Sequence, residues 1–456
     1  MESKTTNNPL ETERINKLLR SFAVPSIISM LVSALYNIVD QFFIGQTVGE
    51  LGNAATNIAF PLSTSCTAIA LLFGIGGASA FNIALGQRNE KRAAQYMGNA
   101  IMMLVLLGIC LCVVTQLFLE PMLRFFGSPE NVLTYAKTYT RITAFGFPFL
   151  ILSIGGGHLI RADGRPRVTM FCNLTGAVLN TILDALFVFG FEWEMRGAAL
   201  ATVIGQFVSA CMAVWFLSHC KTIKLKKSYL HLSGQCVKRV MSLGIAPFSN
   251  QVSMTLVQIV MNKSLKYYGS MSVYGEAIPI ACSGIISKVN MLFMSFVIGI
   301  SQGLQPIASF NFGAKHYARV KEAYLKAISC GAAIAITAFL LFQIFPRQII
   351  AIFGDGSDAY YEFAENYFRI FLFFTFVNFL QPISSNFFTA IGKPKVGSFL
   401  ALTRQILFLL PAVVIFPMFV GIDGIMYAGP VADFFAVLVV TIMVVRELKR
   451  ELYHDF

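Results

Sequence analysis

FGSPENVLTYAKTYTRITAFGFPF, residues 126–149, returns as FGDGSDAYYEFAENYFRIFLFFTF, residues 353–376. Other pairs keep nearly the same spacing. RADGRPRV (161–168) returns as TAIGKPKV (389–396), LGQRNEKRAAQYM (85–97) as FGAKHYARVKEAY (312–324), and Pro25 as Pro247. The offsets lie between 222 and 228, about half of the 456 residues. Twelve apolar segments fill the space around these motifs, the first at 21–44 and the last at 425–445. Each is long enough for a membrane-spanning helix, which needs about 20 apolar residues. They lack the short, strictly alternating pattern of barrel strands. Six segments separate each repeated pair, so both copies face the same way. The expected fold is an all-α integral membrane protein, with twelve transmembrane helices in two pseudo-symmetric six-helix lobes.

Composition agrees. Apolar residues make up 56% of the chain and charged ones 13%, against about 25% charged in soluble domains. Mean hydropathy is +0.67. A cytosolic enzyme, a coiled coil and a disordered chain are excluded. The net charge of +12 would suggest nucleic acid in a soluble protein, but membrane proteins concentrate Lys and Arg in cytoplasmic loops. No nucleic-acid partner is expected. With the N-terminus inside, 24 of the 30 basic residues in loops and tails are cytoplasmic. Arg124, Lys137, Arg196, Lys263, Lys266 and Arg347 are the six outside. Both termini are therefore expected in the cytoplasm. The domains read as a cytoplasmic tail (1–20), an N-lobe (21–217), a basic cytoplasmic linker (218–239), a C-lobe (240–445) and a second tail (446–456). No cleavable signal peptide is evident. The nine cysteines and five histidines form no metal-ligand cluster. GIGGAS (74–79) nearly spells a dinucleotide fingerprint but lies inside a span, where small residues serve close helix packing. No phosphate-binding loop of the G-x-x-x-x-G-K-[ST] type occurs, so no ATPase and no enzyme is expected.

ALYNIVDQFFIGQTVG (34–49), GNAATNIAFP (52–61), IRADGRPRV (160–168) and NTILDALFVFGFEWEMRGAALATVIGQ (180–206) together resemble the multidrug and toxic compound extrusion (MATE) family. The resemblance covers nearly the whole chain and is nearest to the DinF-like and MepA-like bacterial branch. It implies a secondary antiporter in the bacterial cell membrane. Such a protein exports small drug-like compounds, often cationic and aromatic, in exchange for H⁺ or Na⁺, with no other cofactor. The expected form is a monomer. The resemblance also implies a coupling site at Asp40 in the first helix, Asn180 and Asp184 in the fifth, and Thr202 in the sixth. In NorM-like relatives the carboxylates lie in the seventh and tenth helices, where this chain has Asn250, Gln251, Asn378 and Gln381. Some MepA-like relatives carry an acid four residues before Arg161; here that position is Gly157. The alternative function is a flippase for lipid-linked oligosaccharide in the same superfamily, which few buried basic groups disfavour.

The residues themselves point to the same place. An unpaired charge inside a membrane costs at least about 3 kcal/mol, so such a residue is a functional candidate by default. Among the acids, only Asp40, Asp184 and Asp433 lie well inside spans. Asp40 and Asp184 fall in the outer half of their helices by residue counting. Asn180 is one turn from Asp184, and Thr202 reaches a similar depth. Two carboxylates, an amide oxygen and a hydroxyl can hold a proton or ligate Na⁺, the sole metal contemplated for these four residues. Lys288, near the middle of the eighth span, is expected either to pair with Asp433 or to face a wet cavity. Pro25, early in the first helix, is expected to kink it.

Overall fold

The computed structural model describes residues 8–452, apart from 48–49, 127, 129, 276 and 353–357. The openings of the two long repeat copies (Gly127, Pro129 and 353–357), and the ends of both expected tails, thus lie outside the described residues. Those that are described form helices joined by short turns, with no strand among them. The first half holds α1 (Ile15–Thr47), α2 (Glu50–Gly86), α3 (Glu90–Leu117), α4 (Glu130–Ala162), α5 (Pro166–Asp184, continued by a π-turn at Ala185–Gly190) and α6 (Glu194–Ser218). The second half holds α7 (Gly234–Ser270), α8 (Ala277–Gly313), α9 (Tyr317–Ile344), α10, α11 and α12 (Asp423–Leu452). Two of these are interrupted. α10 runs as Asp358–Phe371, a 3₁₀ turn at Thr375–Val377, and Leu380–Ala390; α11 runs as Pro394–Leu402, a π-segment at Thr403–Leu409, and Leu410–Val420.

Ten of the described helices are long and apolar enough to cross a membrane, and the bent α10 makes an eleventh. The remaining one, α7, spans 37 residues. It carries Asn250, Gln251, Asn262, Lys263 and Lys266, and these dilute its apolar content.

The duplication extends to backbone dihedrals. The α2–α3 turn places Arg88 at φ 59° and the α8–α9 turn places Lys315 at φ 61°, a left-handed conformation uncommon outside glycine. The α4–α5 and α10–α11 turns likewise place Gly164 at φ 83° and Gly392 at φ 80°. Where the halves diverge, the cause is local. α4 stays helical through Pro148, whereas its counterpart α10 bends by 40°. There Pro382 offers no amide to the Asn378 carbonyl, and the Thr375 hydroxyl donates to the Leu372 carbonyl at 2.7 Å.

Two helices exchange sides. The first turns of α1 (Leu18, Leu19, Phe22, Ala23) are buried in one core with Val257, Met261 and Leu265 of α7 and the inner faces of α8–α12. The first turns of α7 (Val240, Leu243) are buried in the core of α2, α3, α4 and α6. Farther along, α1 buries Ile44 with residues of the first half. Each helix thus passes from one core to the other beyond its proline, α1 between Met30 and Ile44 and α7 between Phe248 and Val257. Hydrogen bonds pin both starting ends. Arg319 and Asn311 hold the carbonyls of Leu10 and Glu13 on the second half. On the first half, buried Asn99 accepts from the Ser233 amide at 2.7 Å, and buried Asp163 accepts from the amides of Lys221 and Thr222.

Glycines allow the close approach at these crossings. A methyl group on Gly76 would meet the Val240 carbonyl, and one on Gly244 would meet the Leu72 carbonyl. The GIGGAS segment is therefore a packing surface, as expected of small residues. Gly86 and Gly313 bring α2 and α8 into the same backbone contact, so the two halves are shut together at the end that bears the linker. α1 itself remains one continuous helix through Pro25, ahead of the stretch where it changes partners.

Replacing Pro25 with alanine restores one helix hydrogen bond and removes a steric clash. Pro25→Ala is expected to fold and to slow turnover several-fold, because the helix stiffens ahead of the crossing. A transport rate equal to the parent protein's would show that the proline serves only the static crossing.

Candidate functional site

α1, α5 and α6 converge on the expected quartet. Asp184 is the last α-helical residue of α5 before the π-turn Ala185–Gly190. Such π-distortions recur at functional sites, since the extra residue re-aims a side chain. Asp184 is fully buried and Asn180 nearly so. The carboxyls of Asp40 and Asp184 lie within hydrogen-bonding reach of one another. The Oδ1 of each is enclosed and has no donor.

Asn180 joins this pair to α6. With its amide oriented to satisfy both neighbours, the nitrogen donates to Asp184 Oδ2 at 3.0 Å and the oxygen accepts from the Thr202 amide at 3.1 Å. The Thr202 hydroxyl donates to the Ala198 carbonyl at 3.0 Å. All four residues therefore meet at one place. No Lys, Arg or His pairs with either carboxylate among the described residues.

Two tyrosines complete the surroundings and are not anticipated from sequence. The phenols of Tyr36 and Tyr139 sit within electrostatic reach of both carboxylates. Tyr36 has a readable signal, one turn before Asp40 on the same helix face. Tyr139 lies three turns into α4 and has no such marker, because nothing local in that helix points to α1.

Asp433 departs from expectation. It is fully buried in α12, yet its partner is Arg404, whose Nε lies 2.5 Å from Oδ1. Asn378 Nδ2 donates to Oδ2 at 3.0 Å. The expected pairing of Lys288 with Asp433 is thus replaced. Arg404 sits in the π-segment of α11, so its direction does not follow α-helical spacing. Asn378, at the break in α10, takes the other oxygen. Both carboxylate oxygens are satisfied, and Lys288 is half-buried elsewhere on α8.

The arrangement defines a class: a polytopic membrane transporter built on a duplicated six-helix unit, with a buried acid pair in one copy. Residues 25–186 and, separately, 249–414 match the MatE family, and the chain belongs to it. It is similar to the multidrug export protein MepA of Staphylococcus saprophyticus, at 23% identity over 435 residues, which covers 95% of this chain and 94% of that one. MepA of Staphylococcus aureus is 22% identical over 437 residues, with the same coverage. Among solved structures, the MATE multidrug transporter DinF-BH, captured in a ligand complex, is 32% identical, with a TM-score of 0.88 over 96% of this chain and 97% of that one. An outward-facing multidrug resistance MATE family transporter shares the fold at a TM-score of 0.90 and 20% identity, over 98% and 99% of the two chains.

Arg404 and Asp433 provide a test of the structural reading. Removing one partner of a buried ion pair costs about 3–5 kcal/mol, because the other charge is left uncompensated. Arg404→Gln is expected to lower the thermal unfolding midpoint in detergent, and Arg404→Gln combined with Asp433→Asn to recover most of the loss. An unchanged midpoint in the single variant would contradict the pairing.

Proposed function

We propose that this chain is a secondary multidrug efflux antiporter of the bacterial cell membrane. It exports relatively apolar, cationic compounds in exchange for H⁺ or Na⁺, coupled through Asp40 and Asp184 with Asn180 and Thr202. The observation that carries this reading is the contrast between the two sets of buried acids. Asp433 has its own guanidinium. Asp40 and Asp184 face each other with no such partner among the described residues, which suits a pair that takes up a cation from outside the protein. Two like charges in contact in a low-dielectric site repel strongly, and a bound cation removes that repulsion.

Either a proton or Na⁺ can serve as that cation. Between two touching carboxyls, a proton makes one oxygen a donor and the other an acceptor. In the amide orientation that satisfies both neighbours, Asn180 donates to the pair and its oxygen accepts from the Thr202 amide, which suits a proton. With the amide turned the other way, the Asn180 oxygen faces Asp184 and can join the carboxyls as a Na⁺ ligand. These four residues contain the hard oxygen ligands that Na⁺ takes. Occupation of the pair relaxes α1, which carries Asp40 and crosses between the halves beyond Pro25, and weakens substrate binding on the outward side. A gradient then drives export without any nucleotide.

The proposal includes a monomer with lobes at 21–217 and 240–445 and a linker at 218–239. Both termini are cytoplasmic, because that orientation puts most basic loop residues inside. Small drug-like molecules are its substrates, the bilayer is its only other partner, and nucleic acid is not a partner.

Dye efflux in inverted vesicles, driven separately by a pH gradient and by a Na⁺ gradient, tests the function. Asp40→Asn and Asp184→Asn are each expected to abolish gradient-driven efflux at normal membrane levels, while Asp433→Asn does less. Full activity in Asp184→Asn together with loss in Asp433→Asn would move coupling to the second half. Transport of lipid-linked sugar without dye efflux would establish the flippase instead.

A further inference from the structure

At the linker-bearing end of the molecule, α7 and α11 flank an open groove of about 760 Å³. Its floor is apolar, formed by Val237, Met241 and Ile245 of α7, and its rim carries Lys238 and Lys395. Met241 and Ile245 are exposed at 41% and 38%. The charge is one-sided: residues 231–249 and 388–402 contain Lys238, Arg239, Lys393 and Lys395 and no acid. The lining also includes Ser398, whose enclosed hydroxyl has no hydrogen-bond partner among the described residues.

From this juxtaposition we infer that the groove between α7 and α11 is a binding site for one acidic phospholipid of the cytoplasmic leaflet. An acyl chain lies on Met241 and Ile245, and the phosphate headgroup sits between Lys238 and Lys395. Basic pockets between transmembrane helices on the cytoplasmic side suit such headgroups, and the apolar floor suits a chain that a soluble anion lacks. Zwitterionic lipid matches the floor but not the rim. The opposite face of the same α7 turns, Val240 and Leu243, is buried against the first half, and Gly244 touches the α2 backbone. A lipid in the groove therefore backs α7 against α2 at the place where the halves are shut together. The leaflet assignment rests on the orientation proposed above; the binding itself does not.

Native mass spectrometry of the full-length protein in detergent, titrated with phosphatidylglycerol or phosphatidylcholine, tests the inference. Phosphatidylglycerol is expected to be retained at concentrations where phosphatidylcholine is not. Two lysines near a headgroup contribute roughly fivefold each in affinity, so Lys238→Ala with Lys395→Ala is expected to weaken retention on the order of 20- to 30-fold. Both lysines are exposed, so the lipid-free unfolding midpoint stays unchanged. Lys91→Ala with Arg92→Ala, exposed at the start of α3 in the other half, leaves retention intact. Glycerol 3-phosphate does not displace the lipid. Equal retention of the two lipids, equal loss in the α3 control, undiminished retention in the Lys238/Lys395 variant, or displacement by glycerol 3-phosphate would each overturn the site. None of these outcomes bears on the antiport reading, which is tested by efflux.

Discussion

Asp40 and Asp184 lie within hydrogen-bonding reach of one another inside the membrane-spanning region, with no basic side chain paired to them among the described residues. That repulsion sets the requirement the surrounding structure meets. Asp184 is placed at the point where α5 changes from α- to π-helix. Asn180, one turn earlier, anchors it to α6 through the Thr202 amide. Asp40 arrives on α1, a helix whose two ends belong to different cores. A change in the charge of the pair is therefore felt by the element that joins the halves.

The second half shows what the same scaffold does without that requirement. Its buried acid, Asp433, is neutralised by Arg404 and steadied by Asn378. The helices that supply these partners are the two interrupted ones, α10 and α11. The duplication thus preserves the frame, including the matched left-handed turns at Arg88 and Lys315, while the polar interiors have diverged. Asymmetry of this kind suits a machine in which one lobe handles the coupling ion and both enclose the substrate.

The fold was legible because membrane spans and a repeat leave long, redundant signals. The repeat, at about half the chain length, and the apolar runs define twelve helices and their common orientation without any contact being known. α7 shows the limit: its polar residues weaken the hydropathy signal, though the apolar run 240–268 still marks it. Asp40 and Asp184 were legible because intramembrane acids are rare, and Asn180 and Thr202 joined them through the family resemblance. Tyr139 was not, since its nearness to Asp40 depends on how α4 packs against α1. The partner of Asp433 was hidden for a related reason. Depth alone points to Lys288, whereas Arg404 reaches the carboxylate from a π-segment that apolar periodicity does not mark. The crossing of α1 and α7 between cores was likewise invisible, because nothing in the first turns of either helix tells which neighbour they meet.

The central claim is that substrate and cation compete through the Asp40–Asp184 pair, and binding linkage makes that competition reciprocal. Proton release on adding a cationic aromatic dye to the purified protein, in weakly buffered detergent solution without Na⁺, measures it directly. The account predicts release from the parent protein and from Asp433→Asn, and none from Asp40→Asn or Asp184→Asn even where the dye still binds. Equal release from all four proteins, or none from a parent protein that binds the dye, would contradict it.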